Sequence, residues 1–123
     1  MGLSFENLDA WQSARELVQA VYGMTRDNDL SKDYGLRDQI QRAAVSTMSN
    51  IAEGFERIGA VEKAHFYNIA RASAGEVRSL IYVIEDTYPH LVEMTPSAKS
   101  KAITTGKLIS GLIASTRRRT EQK

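Results

Sequence analysis

Apolar side chains recur every three or four positions along most of the chain, a spacing that places them on one face of an α-helix. Four segments with this pattern alternate with polar or turn-forming stretches. They predict helices over about residues 7–26, about residues 33–55, a segment from Gly59 or Ala60 to just before Pro89, and a last segment opened by Thr95 and Pro96. Because four amphipathic helices with short connections pack most economically as an antiparallel up-and-down four-helix bundle, we predict a single all-α domain over residues 1–123.

Two helix boundaries follow from residues with special backbone preferences. Gly54 is a candidate end for the second helix, because glycine accepts the left-handed conformation found at helix ends; the pattern also permits the helix to continue past it. Thr95 can cap the fourth helix by accepting a hydrogen bond from a free backbone amide, and Pro96 supplies a helical φ where its missing N–H is harmless. No internal repeat, linker or second domain is visible in the sequence.

The apolar stripe of each helix predicts the core and accounts for most apolar residues without any ligand pocket. Three residues of the third helix, Tyr67, Tyr82 and Val83, fall outside its stripe. Surplus apolar surface of this kind is a candidate contact between subunits, and isolated exposed apolar residues are also normal on a protein surface. The residues predicted to face the core are Leu8, Trp11, Ala14, Leu17, Val18, Val21, Leu36, Ile40, Ala43, Ala44, Thr47, Met48, Ile51, Phe55, Phe66, Ile69, Ala70, Ser73, Val77, Leu80, Ile81, Ile84, Tyr88, Ala98, Ala102, Ile109, Leu112 and Ile113.

Several short segments form a recognisable combination, of which the polar face of the second helix is the most specific part. They are Phe5–Gln12, Tyr34–Gln39, Arg42–Ser46, Ser49–Gly54, Arg57, Phe66–Ala70, Ser73 and Glu76. Together they resemble the 23S rRNA intervening-sequence protein family, small bacterial proteins with a four-helix-bundle fold, over nearly the whole chain. The sequence departs from the family pattern at Met48, where proline is usual, and at Ala72, where glycine is common. Both changes suit a continuous helix.

The resemblance implies an assembly as well as a fold. Structures in this family, and the similarly folded accessory proteins of diversity-generating retroelements, form homopentameric rings, so the resemblance implies a homo-oligomeric ring here. It also singles out a family motif on the second helix. The motif residues are Ser46, Ser49, Asn50, Glu53 and Gly54. The family name records where its genes were found and does not establish that the proteins bind rRNA.

Composition narrows the setting of the protein. The 123 residues support one core, and a hydrophobic content of 42% excludes wholesale disorder. No apolar run approaches the roughly 18 residues that a membrane span requires, and no secretory signal is visible, so we expect a cytoplasmic protein without a membrane partner. The absence of cysteine excludes disulfides and thiolate chemistry.

Charge is distributed unevenly along a chain whose net charge is only +1. Residues 1–33 contain three basic and six acidic side chains, a net −3, whereas residues 91–123 contain seven basic and two acidic ones, a net +5. Helical spacing places Lys99, Lys107, Arg117 and Arg118 within an arc of about 100°, and Arg119 extends the terminal cluster. In a ring, several copies of this patch would form a field able to engage a phosphate backbone.

Each basic group also has a structural interpretation. Arginines in the last turns of a helix offset its dipole and improve solubility. Arg42 and Arg57, with the intervening motif residues Ser46, Ser49 and Asn50, are secondary candidates for contact with RNA, a protein partner or a neighbouring subunit. The alternatives are a solvated helix face, with Arg42 and Glu53 in one side-chain network, or close polar packing between helices, which serine and asparagine would serve.

Candidate catalytic residues are few. Glu62 and His65 have the Glu-x-x-His spacing of di-iron bundles. Such a site needs a second pair, and the only other histidine, His90, follows Pro89 in a predicted loop. Glu53 and Glu76 could meet across helices, but two carboxylates without a partner base define no reaction. Since the sequence also lacks a phosphate-binding loop, a nucleophile elbow and a zinc motif, we expect no enzymatic activity, no metal and no cofactor.

These observations lead to two hypotheses. The first is a non-enzymatic homo-oligomeric bundle that binds nucleic acid, structured RNA above all, by charge and shape. Arg117, Arg118 and Arg119 would then contact phosphates. The second is a protein-interaction scaffold that recruits a partner acting on nucleic acid, in which case Tyr67 and Tyr82 would matter more than the arginines. RNA, DNA and a protein therefore all remain possible partners.

Overall fold

A computed structural model shows an all-α protein and describes residues 3–121, with side chains up to residue 119. Short 3₁₀ turns precede α1, α2 and α4, and no strand occurs in this part of the chain. The termini of the predicted 1–123 domain, residues 1, 2, 122 and 123, lie outside the described residues. The four helices are α1 (Asp9–Met24), α2 (Tyr34–Glu56), α3 (Ala60–Thr87) and α4 (Thr95–Glu121).

Neighbouring helices pack against one another in chain order, and α1 closes the arrangement by packing on α4. Successive helices are connected by short segments and run antiparallel, so the predicted four-helix arrangement is confirmed. The contact between α2 and α3 is the most extensive, followed by that between α3 and α4. At 28 residues, α3 is the longest helix and spans about 42 Å. It borders a recess against α2 on one side and grooves against α4 on the other.

The core consists of two groups of buried side chains along the bundle axis. The larger group lies near the end formed by the α1–α2 and α3–α4 connections and includes Leu17, Ile40 and Ile81. The smaller group lies towards the opposite end and includes Ile51 and Ile109. The two groups include most residues of the predicted stripes of α1, α2 and α4, which confirms that these stripes form the core. Full burial of each such side chain stabilises the fold by about 1.5–3 kcal/mol.

The predicted stripe of α3 is wrong at two positions. Tyr67, expected on the surface, is only 2% exposed, whereas Ile69, expected in the core, is 37% exposed. Where helices pack side by side, the residues that contact the neighbouring helix recur about every 3.5 positions. A stripe drawn at a fixed 100° per residue gradually rotates away from those residues along a long helix. Six of the buried residues of α3 follow the tighter repeat, and the other two, Ser73 and Leu80, lie beside them: Tyr67, Ala70, Ala74, Val77, Ile81 and Ile84. Tyr82 and Val83 are exposed, as predicted.

Gly54 does not end α2, so its predicted role as a helix terminator is wrong. The helix continues to Glu56, and no described glycine has a positive φ. The last carbonyls of α2 are instead satisfied from α3, since Lys63 Nζ donates hydrogen bonds to the carbonyls of Phe55 at 2.7 Å and Gly54 at 3.5 Å. A cationic side chain at a helix C-terminus also complements the helix dipole.

The fourth helix begins at Thr95 as predicted, but the Thr95 hydroxyl has a different partner. It donates to the carboxylate of Glu85 on α3 and lies 3.1 Å from the carbonyl of Val92. Thr95 therefore joins the start of α4 to α3 through its side chain. None of the helices in residues 3–121 combines the length and hydropathy needed to cross a membrane.

Candidate nucleic-acid interface

The second half of α4 presents four cations to solvent. Lys107, Arg117, Arg118 and Arg119 are all exposed. No ion pair within the described residues involves any of them. Arg117 borders a shallow, largely apolar groove between the start of α3 and the end of α4, together with His65. The positive charge predicted from the sequence is therefore accessible, and no carboxylate with a described side chain neutralises it.

Lys99 shares their stripe but has a different environment. Its ammonium lies 3.1 Å from Glu85 and 4.3 Å from the centre of the Tyr82 ring, and its side chain is only 26% exposed. Hydrogen bonds from Thr95 and Lys99 lower the pKa of Glu85, against the opposing effect of burial. Lys99 thus connects α4 to α3 and offers less free charge to a ligand than Lys107.

The two secondary arginines also differ from each other. Arg57 forms a 3.1 Å ion pair with Glu53, and its guanidinium lies 4.6 Å from the centre of the Phe66 ring. Arg42 is exposed and borders a recess of about 150 Å³ between α2 and α3 that also includes Glu76. In the described structure no hydrogen bond or ion pair joins Arg42 to Glu53, so the suggested network between them is absent. Arg42 is the freer of the two cations.

The family motif is mainly a packing device between α2 and α3. The hydroxyls of Ser46 and Ser73 lie 2.9 Å apart across the two helices. Asn50 donates to the carbonyl of Ser46 at 2.9 Å and to its hydroxyl at 3.0 Å, which fixes the position of that hydroxyl. Ser49 is exposed, and the buried Gly54 admits the ring of Tyr67. Of the alternatives left open by the sequence, close polar packing describes Ser46 and Asn50.

The predicted carboxylate pair does not form. Glu53 pairs with Arg57, the first residue after α2, while Glu76 accepts a 3.4 Å hydrogen bond from Gln39 near the other end of the α2–α3 contact. Glu62 and His65 are both exposed, and the His65 ring packs edge-on against Phe66 with centres 5.3 Å apart. These positions offer no enclosed pair of acidic groups for acid–base chemistry.

At the opposite end of the bundle, three potential metal ligands lie close together. Ligand atoms of Asp27, Asp29 and His90 all fall within 4.8 Å of one another. Hydrogen bonds within the chain account for the closeness of these groups. His90 Nε2 lies 3.2 Å from both oxygens of Asp27, and Asp27 Oδ2 accepts from the backbone amides of Asp29 and Leu30. Burial acts to raise the pKa of Asp27, but these hydrogen bonds outweigh it and lower the pKa. The cluster connects the α1–α2 loop to the turn before α4.

A basic groove runs between α3 and α4, and we call it the α3–α4 groove. It encloses about 380 Å³ and is lined by Arg71, Ala74, Gly75, Arg78, Ala102, Ile103, Gly106, Lys107 and Ser110. Three of these residues are cationic, and none carries a carboxylate. The hydrogen-bond partners of Arg71 are neutral, Asn68 at 3.0 Å and Ser110 at 3.5 Å. The described structure shows no hydrogen bond or ion pair for the side chains of Arg78 and Lys107.

The sequence predicts a role for Lys107 but not for Arg71 and Arg78. The basic stripe of α4 is visible within a single helix, whereas its position beside the cations of α3 is not. A signal was present, because residues seven apart share a helix face and Arg71 and Arg78 have this spacing. Only the packing of α3 on α4 shows that this face lies beside Lys107.

Small residues give the α3–α4 groove its concave shape. Gly75 and Gly106 lie inside long helices, where glycine is about 1 kcal/mol less favourable than alanine. A Cβ built on either residue would have no neighbouring atom within 4 Å, apart from the adjacent backbone. Neither glycine is therefore required by close packing within this chain, in contrast to Gly54.

The comparison with protein families covers the helices that form these surfaces. The family model described as 23S rRNA-intervening sequence protein matches residues 6–111. This span includes the α3–α4 groove and the motif on α2, and it ends before Arg117. A comparison with curated proteins gave no match. Because the matched span takes in α1, α2, α3 and most of α4, the chain belongs to the 23S rRNA-intervening sequence protein family.

Proposed function

We propose that this protein is a non-enzymatic, homo-oligomeric four-helix bundle that binds nucleic acid, structured RNA above all, by charge and shape. The observation that carries the proposal is the accessible positive charge on the second half of α4. Lys107, Arg117, Arg118 and Arg119 are exposed, and none has a carboxylate partner among the described residues. Uncompensated cations on a rigid helix are suited to a phosphate backbone, from which they release condensed counterions.

The other basic residues make this distribution informative. Lys99 is paired with Glu85, Lys101 with Glu16, and Arg57 with Glu53. These pairs neutralise part of the positive charge at the surface of the bundle, whereas no carboxylate among the described side chains pairs with the arginines at the end of α4. Arg15, Arg26 and Lys32 are also exposed and form no ion pair in the described part of the chain, so the end of α4 differs from them in the clustering of its three arginines. Arginines that only offset the helix dipole would also be exposed there, so binding measurements must separate the two roles.

Self-association is the second part of the proposal. Tyr82 and Val83 are adjacent on α3 and are 53% and 44% exposed. The acidic first third of the chain and the basic last third give each protomer regions of opposite charge. An assembly that buries such an apolar pair and repeats the basic end around a symmetry axis would multiply the field acting on phosphates.

The test is fluorescence anisotropy with a structured RNA, a duplex DNA and an unrelated polyanion over a salt series, with the oligomer mass recorded in the same buffers. The wild-type protein should prefer nucleic acid over the polyanion and should bind more weakly as salt rises. Replacing Arg117, Arg118 and Arg119 by alanine should weaken binding and reduce its salt dependence.

The matched control removes three exposed cations elsewhere, by replacing Arg15, Arg26 and Lys32 with alanine. It changes the net charge equally, so a comparable loss of affinity in the control would assign the effect to net charge rather than to the end of α4. Absence of binding near physiological salt would contradict the proposed function and favour the protein-interaction scaffold. The exposure of Tyr82 is the specific observation that supports this second candidate.

A further inference from the structure

We propose that the α3–α4 groove holds one sugar–phosphate strand of a base-paired nucleic acid, bound by Arg71, Arg78 and Lys107 without contact to the bases. The inference rests on the proposed nucleic-acid binding and names both the surface and the class of ligand. It adds two residues of α3 to the cations of α4. Its basis is the combination of charge, spacing and shape in this groove.

Charge is the first part of that basis. Arg71 and Arg78 extend from α3 and Lys107 from α4, so cations stand on both sides of the groove. No carboxylate lines it, and the hydrogen-bond partners of Arg71 are an amide and a hydroxyl. The groove therefore keeps a net positive charge in the folded chain. Its complement is an anion that can extend along the groove, as a phosphate backbone does.

Spacing is the second part. Seven helical residues separate Arg71 from Arg78, a rise of about 10.5 Å at 1.5 Å per residue. Each phosphate of one duplex strand advances about 3.4 Å along the duplex axis, and successive phosphates lie farther apart than this because the strand winds around that axis. The two arginines therefore reach different phosphates of the same strand. Lys107 approaches the same stretch from the opposite side. The three cations are thus placed to contact separate phosphates of one strand.

The lining distinguishes between kinds of nucleic acid. None of the nine residues that line the groove is aromatic. Surfaces that bind single strands usually offer aromatic rings on which unpaired bases stack. In a duplex the bases are already stacked and paired, and only the backbone needs a site. A duplex strand is therefore the form that this groove suits.

The glycines provide the third part, because they let a ligand approach the helix backbone. Gly75 and Gly106 line the groove with open space where a side chain would stand. A larger residue at position 106 would occupy that space without changing any charge. The same substitution therefore separates a ligand lying in the groove from one attracted only by the general field of the protein.

The main experiment compares Gly106→Leu with Gly111→Leu, a matched substitution on the same helix. Gly111 is exposed, lies outside the groove lining and also has no atom within 4 Å of a built Cβ. A short RNA duplex, the equivalent DNA duplex and the single strand of the same sequence serve as probes. Helix content by circular dichroism and oligomer mass show whether each variant keeps the fold and assembly of the wild type.

We expect Gly106→Leu to weaken binding of the duplexes by at least about tenfold, which corresponds to about 1.4 kcal/mol. Gly111→Leu should leave the affinity near that of the wild type. Replacing Arg78 by alanine should reduce the steepness of the plot of log binding constant against log salt concentration by about one, because it removes one phosphate contact. Replacing Lys107 by alanine should have the same effect. Arg26→Ala is the matched charge control, since Arg26 is exposed at the far end of the bundle.

Four results would overturn the inference. Duplex binding that survives Gly106→Leu would show that no strand lies in the groove. A single strand that binds the wild type as tightly as the duplexes do, and loses affinity in Gly106→Leu, would contradict the preference for a duplex. A change of oligomer mass in Gly106→Leu would assign the groove to a contact between copies of the chain. A wild-type protein that binds no nucleic acid would remove the proposed function as well. The first and third results would leave the terminal arginines to explain binding, and the second would leave the groove as a site that does not distinguish single strands from duplexes.

Discussion

The ring of Tyr67 packs directly on the backbone of Gly54, where α3 crosses the end of α2. A Cβ at position 54 would lie 2.6 Å from Cε1 and 2.7 Å from Cδ1 of that ring, and 3.2 Å from the carbonyl of Lys63. Real side chains do not tolerate such distances, so something must shift. Tyr67 is only 2% exposed and has little room to do so.

Gly54→Ala should therefore destabilise the protein, although alanine is the better helix former. Overpacking costs about 1–3 kcal/mol, and the gain in helix propensity offsets about 1 kcal/mol of it. We expect the free energy of unfolding, measured by urea denaturation, to fall by up to about 2 kcal/mol. Gly106→Ala is the matched control and should raise stability, because its methyl group meets no atom within 4 Å. Equal effects of the two substitutions would refute this account of Gly54.

A second prediction concerns the hydroxyl pair between α1 and α4. Ser13 and Thr105 are both buried, with their oxygens 2.7 Å apart. Ser13→Ala removes one partner and should cost about 1–3 kcal/mol, the penalty for a buried polar group left unsatisfied. Adding Thr105→Val removes the second hydroxyl and keeps the shape of the side chain. The double variant should then be more stable than the sum of the two single losses predicts, as thermal unfolding of all four proteins would show. Strict additivity would count against a direct bond.

A third prediction concerns Glu85 and acid. Hydrogen bonds from Thr95 and Lys99 favour the ionised carboxylate, so the pKa of Glu85 is lower in the folded chain than in the unfolded one. Its stabilising contribution is present above the unfolded value, about 4.3, and is lost as pH falls through the lower folded value. Glu85→Gln should thus be less stable than the wild type at pH 7, and the difference should shrink on acidification.

Urea denaturation at successive pH values would measure this difference, with Glu93→Gln as the control at an exposed carboxylate that forms no ion pair in the described structure. Asp27, whose pKa is also lowered, should keep part of the acid sensitivity in the Glu85 variant. A gap between wild type and Glu85→Gln that stays constant down to acid pH would disprove the role assigned to the ionised form.

Substitutions of Tyr67 and Tyr82 should have different effects, because Tyr67 is buried and Tyr82 is exposed. Tyr82→Ser and Val83→Ser remove exposed apolar surface and should lower the oligomer mass while leaving helix content unchanged, if this pair forms a subunit contact. Tyr67→Ser should instead reduce the free energy of unfolding by several kcal/mol, because it leaves a cavity in the core. Light scattering and circular dichroism separate the two effects. An unchanged mass in the Tyr82 and Val83 variants would place the subunit contact on another surface.

The spacing of apolar residues along the chain predicted most of the bundle but not the close contacts between its helices. Periodicity located all four helices and most buried residues, because burying an amphipathic stripe is a local requirement on each helix. Gly54 and Tyr67 were misassigned for a common reason. Whether a glycine ends a helix or admits a ring depends on what crosses it, and the sequence of one helix does not contain that information.

The candidate site shows the same division. The sequence by itself determined that the chain has four amphipathic helices, that its last third is basic, and that its motifs are those of one family. Only the tertiary structure decided that Glu85 neutralises Lys99 while Lys107 stays free, and that Arg71 and Arg78 border Lys107 in one groove. Net charge belongs to the composition of a chain, but the field at a surface depends on distances between side chains far apart in sequence, which packing alone sets.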